Sequence, residues 1–170
     1  MEQVILVDEQ DKEVGVIEKM QAHIEGRLHR AISVFIFNSK NELLLQKRAD
    51  GKYHSAGLWT NTCCSHPMPG ETVADAATRR LNEEMGMKCV LQKSFTFIYK
   101  ALLDHDLTEY EYDHVLTGIT DEEPTPNPTE VAAWKYVNIE NLQAEILLHP
   151  EKYTEWFKIC LRDYWILLVA

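Results

Sequence analysis

Between Gly70 and Gly86 the apolar side chains Val73, Ala77, Leu81 and Met85 recur every four positions, with no proline among them. That spacing lines all four along one stripe of an α-helix, so residues 71–85 predict an amphipathic helix that must bury one face against another element. The flanking runs have a different character. Residues 4–7, 14–17, 32–37 and 43–46 before the helix, and 89–91, 95–99, 109–119 and 131–137 after it, are rich in β-branched and aromatic residues and predict strands. Asn38-Ser39-Lys40-Asn41 is a turn-rich connection that predicts a hairpin between 32–37 and 43–46. Helical periodicity returns over 138–147 and 153–168, where Trp156, Ile159, Cys160 and Tyr164 mark one apolar stripe. Strands around a central helix, closed by C-terminal helices, predict an α+β chain, an α/β/α sandwich in a single domain over residues 1–170. With 170 residues, 45% of them hydrophobic, the chain is long enough to bury a core. Pro124 to Pro128, inside the acidic stretch 120–130, predicts a surface loop.

The formal charge of −10 argues against a general nucleic-acid or anionic-membrane binder, because a phosphate backbone is held by a surplus of Lys and Arg. An anionic ligand would need metal ions or a local basic cluster. The start of the chain lacks the basic residues and long apolar run of a secretory signal, and the late apolar run 165–170 is far shorter than the roughly 20 residues that cross a bilayer. The expectation is a cytoplasmic protein with no membrane span. Of the four cysteines, Cys63 and Cys64 are adjacent and cannot easily bridge to each other, so free thiols are expected in a reducing compartment. Cys63, Cys89 and Cys160 read as core, as do Trp134 and Trp165.

The helix at 71–85 carries Glu71, Asp75, Arg79, Arg80, Glu83 and Glu84. Residues four apart stack, so Arg79 stands beside Glu83 and Arg80 beside Glu84 in two adjacent columns. Two readings are open: paired surface charge, or one column turned into a cleft where a carboxylate holds Mg²⁺ and an arginine meets a phosphate. On the strand 109–119, Glu109 and Glu111 share a face while Tyr110 and Tyr112 point the other way. Convergent carboxylates repel unless a cation or a shared proton lies between them. The chain has seven histidines, and imidazole with carboxylate suits a borderline divalent ion such as Zn²⁺ or Mn²⁺. Spacing alone does not say which histidines converge.

Residues 71–86 run Glu, seven residues, then Arg79-Arg80-Leu81-Asn82-Glu83-Glu84-Met85-Gly86, which resembles a Nudix box. The hydrolase pattern begins with Gly where this chain has Ser65, and has Glu after the arginine where this chain has Arg80. That Glu belongs to the metal-binding carboxylates of the hydrolases, so reversing its sign works against multi-metal pyrophosphate cleavage. Just before the box, Trp59-Thr60-Asn61-Thr62-Cys63-Cys64-Ser65-His66-Pro67 is similar to the type I isopentenyl-diphosphate isomerases. The match extends over almost the whole chain: Glu18-Lys19 followed by His23, Arg27-Leu28-His29, the loop 48–52, Tyr99-Lys100-Ala101, Glu109-Tyr110-Glu111 and Trp156. Several separated motifs in one order are far more specific than one short pattern.

The resemblance implies a Nudix-like sandwich with mixed and antiparallel sheets around a central Nudix-type helix. It implies an isomerase converting isopentenyl diphosphate to dimethylallyl diphosphate by a metal-assisted 1,3-allylic proton shift through a tertiary carbocation. Cys64, Glu111 and Tyr99 would be catalytic. His23, His29, His66, Glu109 and Glu111 would hold one tightly bound ion, Mn²⁺ or Zn²⁺, and Mg²⁺ would arrive with the substrate diphosphate, met by Glu84 and the Cys64 carbonyl. Lys19, Arg48, Lys52 and Arg80 would contact the diphosphate, and Trp156 would line its hydrocarbon end. The implied partner is a small-molecule diphosphate, and the implied assembly a monomer. Competing readings are a Nudix pyrophosphohydrolase of nucleoside diphosphate compounds, through Glu71, Arg79, Glu83 and Glu84, and a non-catalytic diphosphate-binding module.

Overall fold

The computed structural model describes residues 1–169. In chain order its elements are β1 (Gln3–Val7), β2 (Glu13–Glu18), α1 (Lys19–Glu25), β3 (His29–Phe37), β4 (Glu42–Arg48), β5 (Trp59–Thr60), β6 (Cys63–Ser65), α2 (Val73–Met85), β7 (Gln92–Leu102), β8 (Thr108–Ile119), β9 (Val131–Asn138), α3 (Ile139–Leu148) and α4 (Glu155–Val169). Strand β3 is the organiser. It pairs in parallel with β8 from His29↔Glu111 to Phe37↔Ile119, and antiparallel with β6 through Ser33↔Cys64. Outside it β7 runs antiparallel to β8, and β1 with β2 extends the sheet from the His29 end of β3. Strands β4, β5 and β9 form a second antiparallel group.

Because side chains alternate along a strand, this topology gives the sheet two different apolar faces. Phe35, Phe97, Tyr99 and Val115 point toward α3 and α4 and pack with Trp156, Phe157 and Leu161. Ile32, Val34, Cys63 and Leu116 point the other way, onto Ala76, Ala77, Leu81 and Met85 of α2. Helices on both sides of a mixed sheet make the expected α/β/α sandwich. Leu81 is fully buried, and burying such a side chain is worth about 1.5–3 kcal/mol. Among the described residues no helix is long and apolar enough to cross a membrane.

Helix α2 starts two residues later than its periodicity predicts, because Thr72 caps it by accepting from the Asp75 amide at 3.1 Å. It ends at Gly86, in the left-handed region at φ 64°, where an added Cβ would lie 2.3 Å from the Thr125 carbonyl oxygen. The proline-bearing loop docks there, its Thr125 and Asn127 amides donating to the carbonyls of Met85 and Glu84. The last helix likewise begins at Glu155 rather than 153, since Tyr153 makes a β-bridge to Trp59. Helix α1 was not anticipated. It is held by Glu18, whose side chain accepts from the Gln21 amide, and by Gly26 at φ 62°.

Three other expectations are corrected. The hairpin of β3 and β4 is paired only at Phe37↔Leu43. Beyond that point the strands part, because Thr62 Oγ1 accepts from the Ile36 amide and donates to the Leu44 carbonyl, standing in for ladder bonds. Residues 89–91 form no strand: Cys89 lies over Gly118 of β8, on the sheet face, where its backbone meets no free edge. Cys89, Trp134 and Trp165 are accordingly half-buried at cluster margins, whereas Cys63 and Cys160 are core.

Candidate active site

One face of four adjacent strands gathers the polar residues. Glu111 of β8 pairs with His29 of β3 on one side and Tyr99 of β7 on the other; Ser33 of β3 pairs with Cys64 of β6. Residues 109, 111 and 113 alternate onto this face, so β8 presents three carboxylates in a row. Glu109 and Glu111 open on a cavity roofed by Trp156 from α4 and by the loop between β4 and β5. Of the expected site residues, Lys19, Arg48, Lys52, Cys64, His66, Arg80, Tyr99, Glu109, Glu111 and Trp156 line it. His23, His29 and Glu84 stand behind that wall, each buried.

At one end, His66 Nε2 lies 2.9 Å from Glu111 Oε1 and 3.2 Å from His29 Nε2, and His29 Nε2 is 3.5 Å from the same carboxylate oxygen. His23 joins from α1, its donor atom within 4.8 Å of those of His29 and His66. Backbone carbonyls fix two of the rings: His29 Nδ1 donates to Arg27 at 2.8 Å and His23 Nδ1 to Thr108 at 3.4 Å, so that His29 Nε2 faces His66 and Glu111, and His23 Nε2 lies 3.2 Å from Tyr53 Oη. Burial and the neighbouring His66 bring the His23 pKa down to about 4, so that ring is neutral near pH 7.

The carboxylates divide one proton. Burial, then the charge of Glu111, pushes Glu109 well above the ordinary carboxyl range. Burial acts on Glu111 too, but hydrogen bonds from His29 and His66 outweigh it and hold Glu111 well below that range. Tyr99 Oη lies 2.8 Å from Glu109 and 2.6 Å from Glu111. A phenol carries one proton, so Tyr99 can donate to only one of the two carboxylates at a time. This donor set fits a divalent cation: imidazole nitrogens 2.9–3.5 Å from the oxygens of Glu111 and Glu109 match adjacent corners around an ion. The buried Nδ1 of His66 has no partner among the described residues.

At the other end stands Cys64. Its Sγ is 2.8 Å from Asn61 Oδ1 and accepts from Trp156 Nε1 at 3.1 Å. Asn61 is anchored by donating to the carbonyls of Val34 and Cys63, so the thiol's acceptor is fixed by backbone. Burial, then the nearby Asp113, raises the Cys64 pKa and keeps the group a thiol. Asp113 accepts from Ser33 Oγ at 2.6 Å, and burial with the charge of Glu111 lifts its pKa to about 8. Cys63, one residue earlier, faces α2 and is fully buried.

The helix columns differ as the cleft reading expects. Arg79 pairs with Glu71 and Glu83 toward solvent; Arg80 pairs with buried Glu84 at 2.6 Å and lines the cavity. Glu84 also accepts from Gln46 at 2.8 Å. Arg48 donates to the His54 carbonyl at 3.0 Å, lies 5.3 Å from the Trp156 ring and, like Arg80, keeps a buried Nε without a partner among the described residues. Lys52 pairs with Glu130, and Lys19 lies 5.0 Å from the Tyr53 ring. Sequence reasoning missed Ser33, Gln46, Tyr53, His54 and Asp113. Asp113 had a signal, the same two-residue alternation that singled out Glu109 and Glu111; the others had none.

The comparisons concern family and fold. A family model described as "NUDIX domain" matches residues 27–157. A protein of Pectobacterium atrosepticum named "Isopentenyl-diphosphate Delta-isomerase" is 52% identical over 166 residues, covering 96% of this chain and 93% of that one. One of Aromatoleum aromaticum, named "Isopentenyl-diphosphate Delta-isomerase 1", is 56% identical over 160 residues, covering 94% and 90%. Among solved structures, a Deinococcus radiodurans protein superposes with a TM-score of 0.79 at 22% identity, covering 96% of this chain and 99% of its own, a likeness of fold.

Proposed function

The chain belongs to the isopentenyl-diphosphate Delta-isomerase family of NUDIX-domain proteins, and from that premise we propose how it turns isopentenyl diphosphate into dimethylallyl diphosphate. A proton is added to the terminal alkene carbon, which leaves a tertiary cation at the methyl-bearing carbon. A proton is then lost from the carbon on the diphosphate side of that cation. An unactivated alkene is a poor base, so the two transfers need two well-placed groups. Cys64 is one, and Glu111 with Tyr99 is the other. The carrying observation is that a buried thiol and a buried carboxylate–tyrosine network line the same cavity. Each turnover leaves one group with an extra proton and the other without, so both exchange with solvent before the next: Tyr99 provides the path that resets Glu111, and Cys64 is reset through the cavity once product leaves.

Trp156 and the closed sheet face keep water from the cation, and the indole π face lowers its energy by about 2 kcal/mol when desolvated. His23, His29, His66, Glu109 and Glu111 would hold one divalent ion, Mn²⁺ or Zn²⁺, which when bound makes protons on its ligands more acidic. Glu84 and the Cys64 carbonyl would meet Mg²⁺ carried by the diphosphate, since Mg²⁺ is bound through few carboxylates plus substrate phosphate. Arg48, Arg80, Lys19 and Lys52 hold the diphosphate, the local basic cluster that an anionic ligand needs on a chain of charge −10. The reading extends to a monomeric, cytoplasmic enzyme of one domain over residues 1–170 without nucleic-acid or membrane partners; four free thiols and a charge of −10 support it.

The test is proton NMR of isopentenyl diphosphate with purified protein and Mg²⁺ in D₂O. Dimethylallyl diphosphate should form with deuterium entering at the terminal carbon. A folded, metal-replete sample that yields no product, or releases phosphate instead, sinks the reading.

A further inference from the structure

His54 belongs to no motif singled out above, yet it is 2% exposed and points into the cluster of imidazoles and carboxylates. Its Nε2 lies 3.4 Å from Glu109 Oε1, the same spacing within 0.1 Å as His29 Nε2 from Glu111 at 3.5 Å. Its Nδ1 lies 3.2 Å from Ser55 Oγ, as the Nδ1 atoms of His23 and His29 lie against backbone carbonyls, and its Nε2 faces Glu109. Two sets of three donors have mutual distances within 4.8 Å: His23 with His29 and His66, and His23 with His54 and Glu109. His23 is common to both. An ion bound by His23 would therefore sit where the two sets meet.

We infer that His54 is a sixth donor to the ion proposed for His23, His29, His66, Glu109 and Glu111; the inference rests on that metal-site reading. Four imidazoles and two carboxylates make a shell for an ion that accepts six ligands, which favours Mn²⁺ over Zn²⁺, whose buried structural sites are almost always tetrahedral. The position of His54 gives it a second consequence. It lies on the loop that carries Lys52, and its carbonyl accepts from Arg48, so ion binding fixes the backbone that presents two of the diphosphate contacts. The alternative for His54 is a hydrogen bond to Glu109 with no contact to the ion.

The deciding experiment counts imidazoles on the ion. Protein with nitrogen-labelled histidine is loaded with a spin-half cadmium isotope, and the Nε2 nuclei that couple to the metal are assigned by NMR. Four couplings are expected, with that of His54 lost in His54→Ala. In chelator competition, Mn²⁺ should bind His54→Ala about 10- to 100-fold more weakly than the unsubstituted chain. Three couplings, from His23, His29 and His66, with unchanged Mn²⁺ affinity, would overturn the role of His54 and leave the five-donor site standing. No coupling from any histidine would overturn both. If His54→Ala does not fold, the count on the unsubstituted protein still decides.

Discussion

The two ends of the cavity rest on the same sheet face but satisfy their buried polar groups differently. At the thiol end the chain supplies most partners: Cys64 to Asn61, Trp156 to Cys64 and Ser33 to one oxygen of Asp113, whose Oδ1 alone is left without one among the described residues. At the imidazole end the crowding is greater. Burial and the charge of Glu111 push Glu109 well above the ordinary carboxyl range, three Nε2 atoms crowd one carboxylate pair, and His66 Nδ1 has no partner among the described residues. Buried polar groups are normally satisfied, so an end built to be incomplete is an end built for a guest. The lesson is that the site separates ion binding from the transfer at the thiol, and substitutions should separate them as well.

The largest effect should come from Cys64→Ala. Turnover of isopentenyl diphosphate should fall at least about a thousandfold, the scale of a lost proton-transfer group, with metal content by elemental analysis unchanged. A parallel loss of metal would break the division between the ends. Second, His66→Ala should weaken the tightly bound ion by about 100-fold while the Cys64 environment is kept. The same metal content in the variant after dialysis against chelator would remove His66 from the donor set. Glu111→Gln lies on the boundary: turnover should collapse while KM for the diphosphate substrate changes less than about threefold, because it serves both ends without touching the basic rim.

How far this division was legible in the sequence follows from what each signal measures. Period four gave α2 and period two gave the β8 carboxylates, because both report which residues share a face. The resemblance supplied the histidines, the thiol and the basic rim residue by residue. Neither kind of signal reports pairing between distant strands, so the parting of β3 from β4 by Thr62, and the short helix that brings in His23, stayed hidden. His54 was missed for the same reason. Its neighbour in the cluster, Glu109, is 55 positions away in a strand that only the folded sheet brings alongside.

Asp113 tests whether the thiol end is as neutral as it looks. Its ordinary pKa of 3.8 rises to about 8 in the fold, so between those values the folded chain holds a proton that the unfolded chain has released. That contribution is complete at low pH and is lost as pH rises from about 4 to about 8, at up to about 1.4 kcal/mol per pH unit. Asp113→Asn keeps an acceptor for Ser33 and should flatten this slope in urea unfolding of metal-free protein. An unchanged slope would mean that the carboxyl is ionised at neutral pH and the thiol end carries charge.

The smallest effect should come from the neighbouring thiol, and it is the sharpest test of the geometry. Cys63 and Cys64 are chemically identical and adjacent, but strand alternation sends Cys63 into the apolar contact between the sheet and α2 and Cys64 into the cavity. Burial, then Glu84, drives the Cys63 pKa well up, so it is a neutral packing group. Cys63→Ala should remove one buried sulfur, cost about 1 kcal/mol in urea unfolding, and change turnover less than about threefold. The contrast with Cys64→Ala then spans nearly three orders of magnitude for the same chemical change one residue apart. Transfer of the turnover loss to Cys63→Ala would mean that β6 sits one residue out of register on β3. Such a slip would also exchange the positions of Ser65 and His66, and the imidazole end could not assemble as described.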